Sequence, residues 1–170
     1  NLFFDQDDNV LVGDLGIAKV LSPNTMFART IVGTPYYLSP ELCEDKPYNE
    51  KSDVWALGVV LYEMCTGGKH PFDAQNEGAL IRKIMKGVYA PLPGGKFSSQ
   101  LSDVLRACLT MDHRARPDSA ALLRNAALVS RARSLGLELD PDAKNVVGST
   151  ALSYAAQHGR AASVHLLLEA

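Results

Sequence analysis

Apolar positions along this chain fall into several rhythms, and the changes of rhythm mark its organisation. Leu2-Phe3-Phe4 and Val10-Leu11-Val12 are short β-prone runs separated by Asp5-Gln6-Asp7-Asp8-Asn9, a stretch of turn formers, so the pattern predicts a β-hairpin. From Gly13 to Pro40 the periodicity disappears while Gly, Pro, Ser and Thr gather, which predicts a long loop of the kind that carries function. Glu41 to Glu44 adds one helical turn. Ser52 and Asp53 are expected to cap a helix running through Val54 to Met64, a segment apolar on nearly every face and therefore placed in the middle of a domain. Helical periodicity returns at Glu77 to Lys86, Ser98 to Met111 and Ser119 to Ala127, with Ala90-Pro91-Leu92-Pro93-Gly94-Gly95 as a break.

Composition then shifts at Ser130-Arg131-Ala132-Arg133-Ser134, and Leu139 to Asn145 reads as an exposed turn or linker before two short helices, Ala151 to His158 and Ala162 to Glu169. The expected division is a first domain at 1–128, a linker at 129–141 and a second unit at 142–170. The apolar start at Leu2-Phe3-Phe4, the missing Met and the end in mid-helix pattern suggest a protein that continues in both directions. The fold class is mainly α, with one small hairpin.

Hydrophobic residues make up 46% of the chain and charged residues 21%, enough to bury a core and typical of a globular protein. A formal net charge of -2 supplies no global positive field, which argues against a nucleic-acid partner or an anionic membrane surface. No stretch is long and apolar enough to span a bilayer as a helix, so a cytoplasmic setting is expected. Cys43, Cys65 and Cys108 are widely spaced and odd in number, without a zinc-type pairing, and read as reduced thiols, mostly buried. His70, His113, His158 and His165 form no metal or nucleophile pattern and read as surface or packing residues.

The candidate chemistry lies in and beside the long loop. Asp14-Leu15-Gly16 follows the second β-prone run, where a carboxylate can face a cleft while glycine lets the backbone turn. Gly33-Thr34-Pro35-Tyr36-Tyr37-Leu38-Ser39-Pro40-Glu41 closes the loop, and Lys51-Ser52-Asp53-Val54-Trp55-Ala56-Leu57-Gly58 follows at short spacing. Taken together and in this order, the three motifs resemble the C-terminal lobe of a serine/threonine protein kinase, from Asn1 to Ala127. With Lys46-Pro47-Tyr48-Asn49, the wording is most similar to the NIMA-related kinases.

The resemblance implies a role for each matching residue. Asp14 corresponds to the family's main magnesium ligand, bridging the phosphates of ATP, and Asn1 to the catalytic-loop asparagine whose amide oxygen helps hold Mg²⁺. Leu15 replaces the commoner Phe. Thr34 resembles the residue beside the catalytic base and the acceptor hydroxyl, which points to Ser or Thr acceptors. Thr30 is placed like an activating phosphosite whose phosphate would pair with a cation such as Lys19. Glu41 and Arg116 resemble a buried ion pair that anchors the end of the activation segment, and Asp53 resembles the acid that hydrogen-bonds the catalytic-loop backbone. The catalytic-base Asp, the ATP-pairing Lys and the Gly-rich loop belong upstream of Asn1, so the 170 residues alone are expected to be inactive.

In the second unit, Thr150-Ala151-Leu152-Ser153-Tyr154-Ala155 and Val164-His165-Leu166-Leu167-Leu168 resemble an ankyrin repeat, with Pro and His of the family pattern replaced. Such a repeat cannot bury its apolar face alone, and its implied use is protein binding. Two functions compete. One is an ATP- and Mg²⁺-dependent phosphotransferase acting on Ser or Thr of protein substrates, gated by its activation loop, in the cytoplasm and, by the resemblance, in association with the cytoskeleton. The other is a pseudokinase or ankyrin scaffold that binds partners without catalysis; an intact His-Arg-Asp run and strand Lys upstream would discriminate them.

Overall fold

The computed structural model describes residues 2–6, 10–12, 35–46 and 49–136. The expectations for Asn1, Asp14, Thr30 and Thr34, most of the long loop and the ankyrin-like unit at 142–170 lie outside those residues. The chain divides into two compact units, one formed by 1–20 with 118–170 and the other by 21–117.

In the first unit, β1 (Leu2–Phe4) pairs antiparallel with β2 (Val10–Val12), with Leu2 opposite Val12 and Phe4 opposite Val10, so the expected hairpin is present. The helical segment expected at Ser119 to Ala127 is two helices, here called α5 (Ser119–Leu123) and α6 (Ala126–Ser134). The division comes from two capping side chains. Asp118 accepts from the backbone N–H of Ala121 at 2.7 Å, and Asn125 accepts from that of Ala127 at 3.0 Å, each satisfying a donor that a helix start leaves open. The expected linker at 129–141 therefore begins inside a helix. Leu128 and Ala132, four residues apart, are both buried, and this spacing forms an apolar stripe beneath a segment whose Ser and Arg content reads as a linker.

The second unit is built around α2 (Glu50–Thr66), preceded by a 3-10 turn (Pro35–Tyr37) and α1 (Pro40–Cys43), and followed by α3 (Glu77–Lys86) and α4 (Ser99–Cys108). As its uniformly apolar sequence requires, α2 is central, with Val54, Trp55, Val59, Leu61 and Tyr62 buried. Its cap is Asn49, which accepts from Lys51 N–H at 3.1 Å, rather than Ser52 or Asp53. Ser52 is instead committed to a tertiary hydrogen bond, and Asp53 lies inside the first turn. There its negative charge complements the helix dipole.

Gly58 allows α2 and α4 to approach closely: a Cβ at this position would meet Cys108 Cβ at 2.8 Å and Leu109 Cδ2 at 2.9 Å. Also along α2, Trp55 stacks on Phe72 at 5.7 Å, Phe72 meets Tyr89 edge-on, and Tyr89 meets Tyr62 in the same way. These offset and T-shaped geometries follow from the ring quadrupole. The bounds of α3 agree with its amphipathic period, and Asn76 caps it by accepting from Ala79 N–H at 2.9 Å. Helix α4 stops at Cys108, short of the expected Met111, where the carbonyls of Thr110 and Met111 turn to the Arg116 guanidinium.

Candidate functional site: a buried carboxylate–guanidinium pair

Pro40 starts α1 at a position where its missing N–H costs nothing, and this places Glu41 in the first turn, pointing inward. The Glu41 and Arg116 side chains are 2% and 0% exposed, so neither charge can be balanced by water. They balance each other through a two-pronged contact. Arg116 Nη1 donates to Glu41 Oε1 at 2.8 Å, and Nη2 donates to Oε2 at 3.0 Å. The other guanidinium donors reach backbone carbonyls: Nη1 to Lys51 at 2.7 Å, Nε to Thr110 at 3.0 Å and Nη2 to Met111 at 3.5 Å. All five N–H groups thus have an acceptor. The guanidinium also lies over the Trp55 ring at 5.0 Å from its centroid, a cation–π contact on the helix it helps hold.

Ser52 Oγ donates to Glu41 Oε1 at 2.6 Å, giving the carboxylate a third side-chain donor. Burial alone would raise the Glu41 carboxyl. The Arg116 and Ser52 hydrogen bonds, its own backbone N–H and the Arg116 charge overcome that burial and hold it down at about 2. Glu41 is therefore ionised in the folded chain at neutral pH. The arrangement carries no reacting group. Its effect is to pin the Ser39-Pro40-Glu41 stretch to α2 and to the turn after α4.

Asp53 is solvent-exposed, yet its carboxyl is raised above the ordinary range, first by desolvation and then by Glu50 one turn earlier. Among the described residues no group of three or more His, Cys, Asp or Glu side chains could hold a metal ion, and no helix is long and apolar enough to cross a membrane.

A second cluster, which the motifs did not reveal, lies on the turn just before Ser39. The rings of Tyr36 and His70 stack at 4.0 Å and 5° between planes, and Tyr37 meets His70 edge-on at 6.1 Å. The Tyr37 hydroxyl donates to Glu63 Oε2 at 3.0 Å, and the Tyr36 hydroxyl to Asp73 Oδ1 at 3.3 Å. Partial desolvation, then the Glu63 carboxylate as acceptor and as charge, raises the Tyr37 hydroxyl above its usual value and keeps it a donor. The only advance signal was the pair of adjacent tyrosines at the end of the loop.

A predominantly helical unit, a small hairpin and a motif stretch anchored by a buried carboxylate–guanidinium pair define the architecture of a protein kinase C-terminal lobe. The protein kinase domain family matches residues 1–127, and the chain belongs to that family. It is 46% identical over 131 residues to the serine/threonine-protein kinase Nek1 of Mus musculus, covering 77% of this chain and 11% of that protein. It is 45% identical over 125 residues to the serine/threonine-protein kinase Nek5 of Homo sapiens, covering 73% of this chain and 17% of that protein. The G2-specific protein kinase nimA of Emericella nidulans is 42% identical over 123 residues, covering 72% and 17% respectively. The chain thus spans well under a third of the length of these relatives.

Proposed function

We propose that the protein of which this chain is part is a serine/threonine protein kinase, transferring the terminal phosphate of ATP to Ser or Thr hydroxyls of protein substrates. The observation that carries this reading is the match of the family over residues 1–127, with relatives named serine/threonine-protein kinases. The buried Glu41–Arg116 pair supports it physically, because it fixes the end of a loop whose other end carries Asp14-Leu15-Gly16.

Asp14 and Asn1 would hold Mg²⁺ with bound ATP. A carboxylate and an amide oxygen are hard donors, which suits a small divalent cation that keeps much of its coordination for phosphate and water. The metal's part, when bound, is to neutralise phosphate charge during transfer. Thr34 contacts the acceptor side in this reading, and Thr30 is a phosphosite that orders the loop once it carries a dianion. Asp53 braces the catalytic-loop backbone. Residues 142–170 form part of an ankyrin-like array that binds a protein partner, and the protein works in the cytoplasm.

The test uses the intact parent protein with γ-labelled ATP, Mg²⁺ and peptides that offer only Ser, only Thr or only Tyr. Label on Ser or Thr peptides that disappears when Mg²⁺ is chelated is the expected result. Label confined to Tyr, or no label from an intact parent, refutes the proposal, and the latter outcome leaves a scaffold function.

A further inference from the structure

The cluster around His70 contains a residue that the kinase motifs do not account for. His70 follows α2, beyond Gly67 and Gly68, while Tyr36 and Tyr37 belong to the 3-10 turn that precedes Ser39. The imidazole engages that turn in two ways. Its face carries Tyr36 in a near-parallel stack at 4.0 Å, and its edge meets Tyr37. Its Nδ1 is buried and lies 3.0 Å from Glu63 Oε1, off the line of a well-formed hydrogen bond. Glu63 is the same carboxylate that accepts the Tyr37 hydroxyl.

The charged and titratable groups around the ring are Glu63 from α2, Tyr36 and Tyr37 from the turn, and Asp73 from its own loop, with Lys83 of α3 donating to the Asp73 carbonyl. The turn packs against α2 and α3 through its side chains. Tyr37 is 38% exposed, and the turn's own hydrogen bond, from Leu38 N–H to the Pro35 carbonyl, is a long 3.2 Å. A short 3-10 segment takes its position largely from side-chain contacts.

We propose that His70 is a positioning residue for the substrate side of the site: its ring clamps Tyr36 and keeps Glu63 against Tyr37, fixing the turn that directly follows Thr34. The proposal rests on the kinase reading, in which Thr34 lies beside the acceptor hydroxyl. A turn held in one conformation spares the peptide the cost of ordering it on binding. Loss of the clamp then weakens peptide binding while leaving ATP binding and the chemical step alone.

The experiment uses the intact parent protein and three variants, His70→Ala, His70→Phe and His70→Asn. Phenylalanine keeps the ring face without the nitrogen, and asparagine keeps a polar group near the Nδ1 position without the ring. Hydrogen exchange at residues 35–39 is read against exchange in α4 as an internal standard. The alanine variant is expected to speed exchange at Leu38 about tenfold with α4 unchanged, and Phe and Asn to restore part of the protection. The KM for a Ser/Thr peptide should rise several-fold in His70→Ala, with kcat and the KM for ATP unaltered.

Unchanged Leu38 exchange in His70→Ala overturns the proposal, as does faster exchange with an unchanged peptide KM. Should α4 also exchange faster in His70→Ala, the Phe variant decides: protection retained supports the clamp, and protection lost as fully as with alanine overturns it. If the parent transfers no phosphate, the exchange measurement still decides whether His70 holds the turn, so failure of the kinase reading is distinguishable from failure of this one.

Discussion

Replacing Glu41 by Gln removes one negative charge from a site where Arg116 is buried with no exposed side-chain surface. Gln also presents an amide N–H₂ to a guanidinium that has only donors, so at least one Arg116 N–H loses its acceptor. Two independent routes give the size of the effect. Breaking one partner of a buried ion pair typically costs about 3–5 kcal/mol. The Glu41 carboxyl lies at about 2 when folded against 4.5 when unperturbed, and at 1.36 kcal/mol per unit this corresponds to about 3 kcal/mol of folding free energy.

Because the folded value lies below the unfolded one, that stability is complete above about pH 4.5 and is lost as the pH falls through about 2. The chain has a single Trp, Trp55, lying under Arg116, so its fluorescence in a urea titration reads the affected site directly. Glu41→Gln is expected to lower the unfolding free energy of the 170-residue chain by about 3 kcal/mol at pH 7 and to flatten its dependence on pH below 4.5. In Arg116→Met the deficit should be shared with Glu41→Gln, so the double variant loses less than the sum of the singles. A Glu41→Gln chain within about 0.5 kcal/mol of wild type, with an unchanged acid limb, would refute the reasoning.

Three further outcomes follow from the same packing. Gly58→Ala puts a methyl group into Cys108 and Leu109 and should destabilise the chain by about 1–3 kcal/mol in thermal or urea unfolding; an unchanged midpoint would show that α2 and α4 can separate freely. Ser39 is buried with no partner for its hydroxyl among the described residues, so Ser39→Ala should be neutral or stabilising by about 1 kcal/mol; clear destabilisation would reveal a bond to that hydroxyl. Burial pushes the Cys108 thiol up to about 12, so in the native chain it should resist alkylation at pH 8 and react only after unfolding, as mass spectrometry of the labelled peptide would report.

Local chemistry made much of the fold legible. The apolar runs around Asp5 to Asn9 show a hairpin, the uniform apolarity of Val54 to Met64 shows a central helix, and the period of Glu77 to Lys86 gives α3. Helix starts were harder to read where several capping residues stood close together. Asn49, Ser52 and Asp53 can each cap, and the choice falls to Asn49 because Ser52 is drawn to Glu41, a tertiary partner invisible to a local pattern. The break at Asn125 falls inside the single helical period expected over Ser119 to Ala127, because one polar residue does not interrupt that period even where its side chain caps a new helix.

Of the site, Glu41 and Arg116 stand 75 positions apart, and no periodicity connects them; only the resemblance of their flanking motifs did. His70 was read as a surface or packing residue. Its role toward Tyr36 depends on how the chain folds back after α2, which local composition does not encode.

The central claim is that Asp14 holds the metal-bound nucleotide for phosphate transfer, and the direct measurement compares the intact parent protein with its Asp14→Ala variant. Each is given γ-labelled ATP, Mg²⁺ and a Ser/Thr peptide, with Trp fluorescence confirming that both are folded. The account predicts labelled peptide from the parent and none above background from the variant. Equal labelling by the two proteins would contradict it.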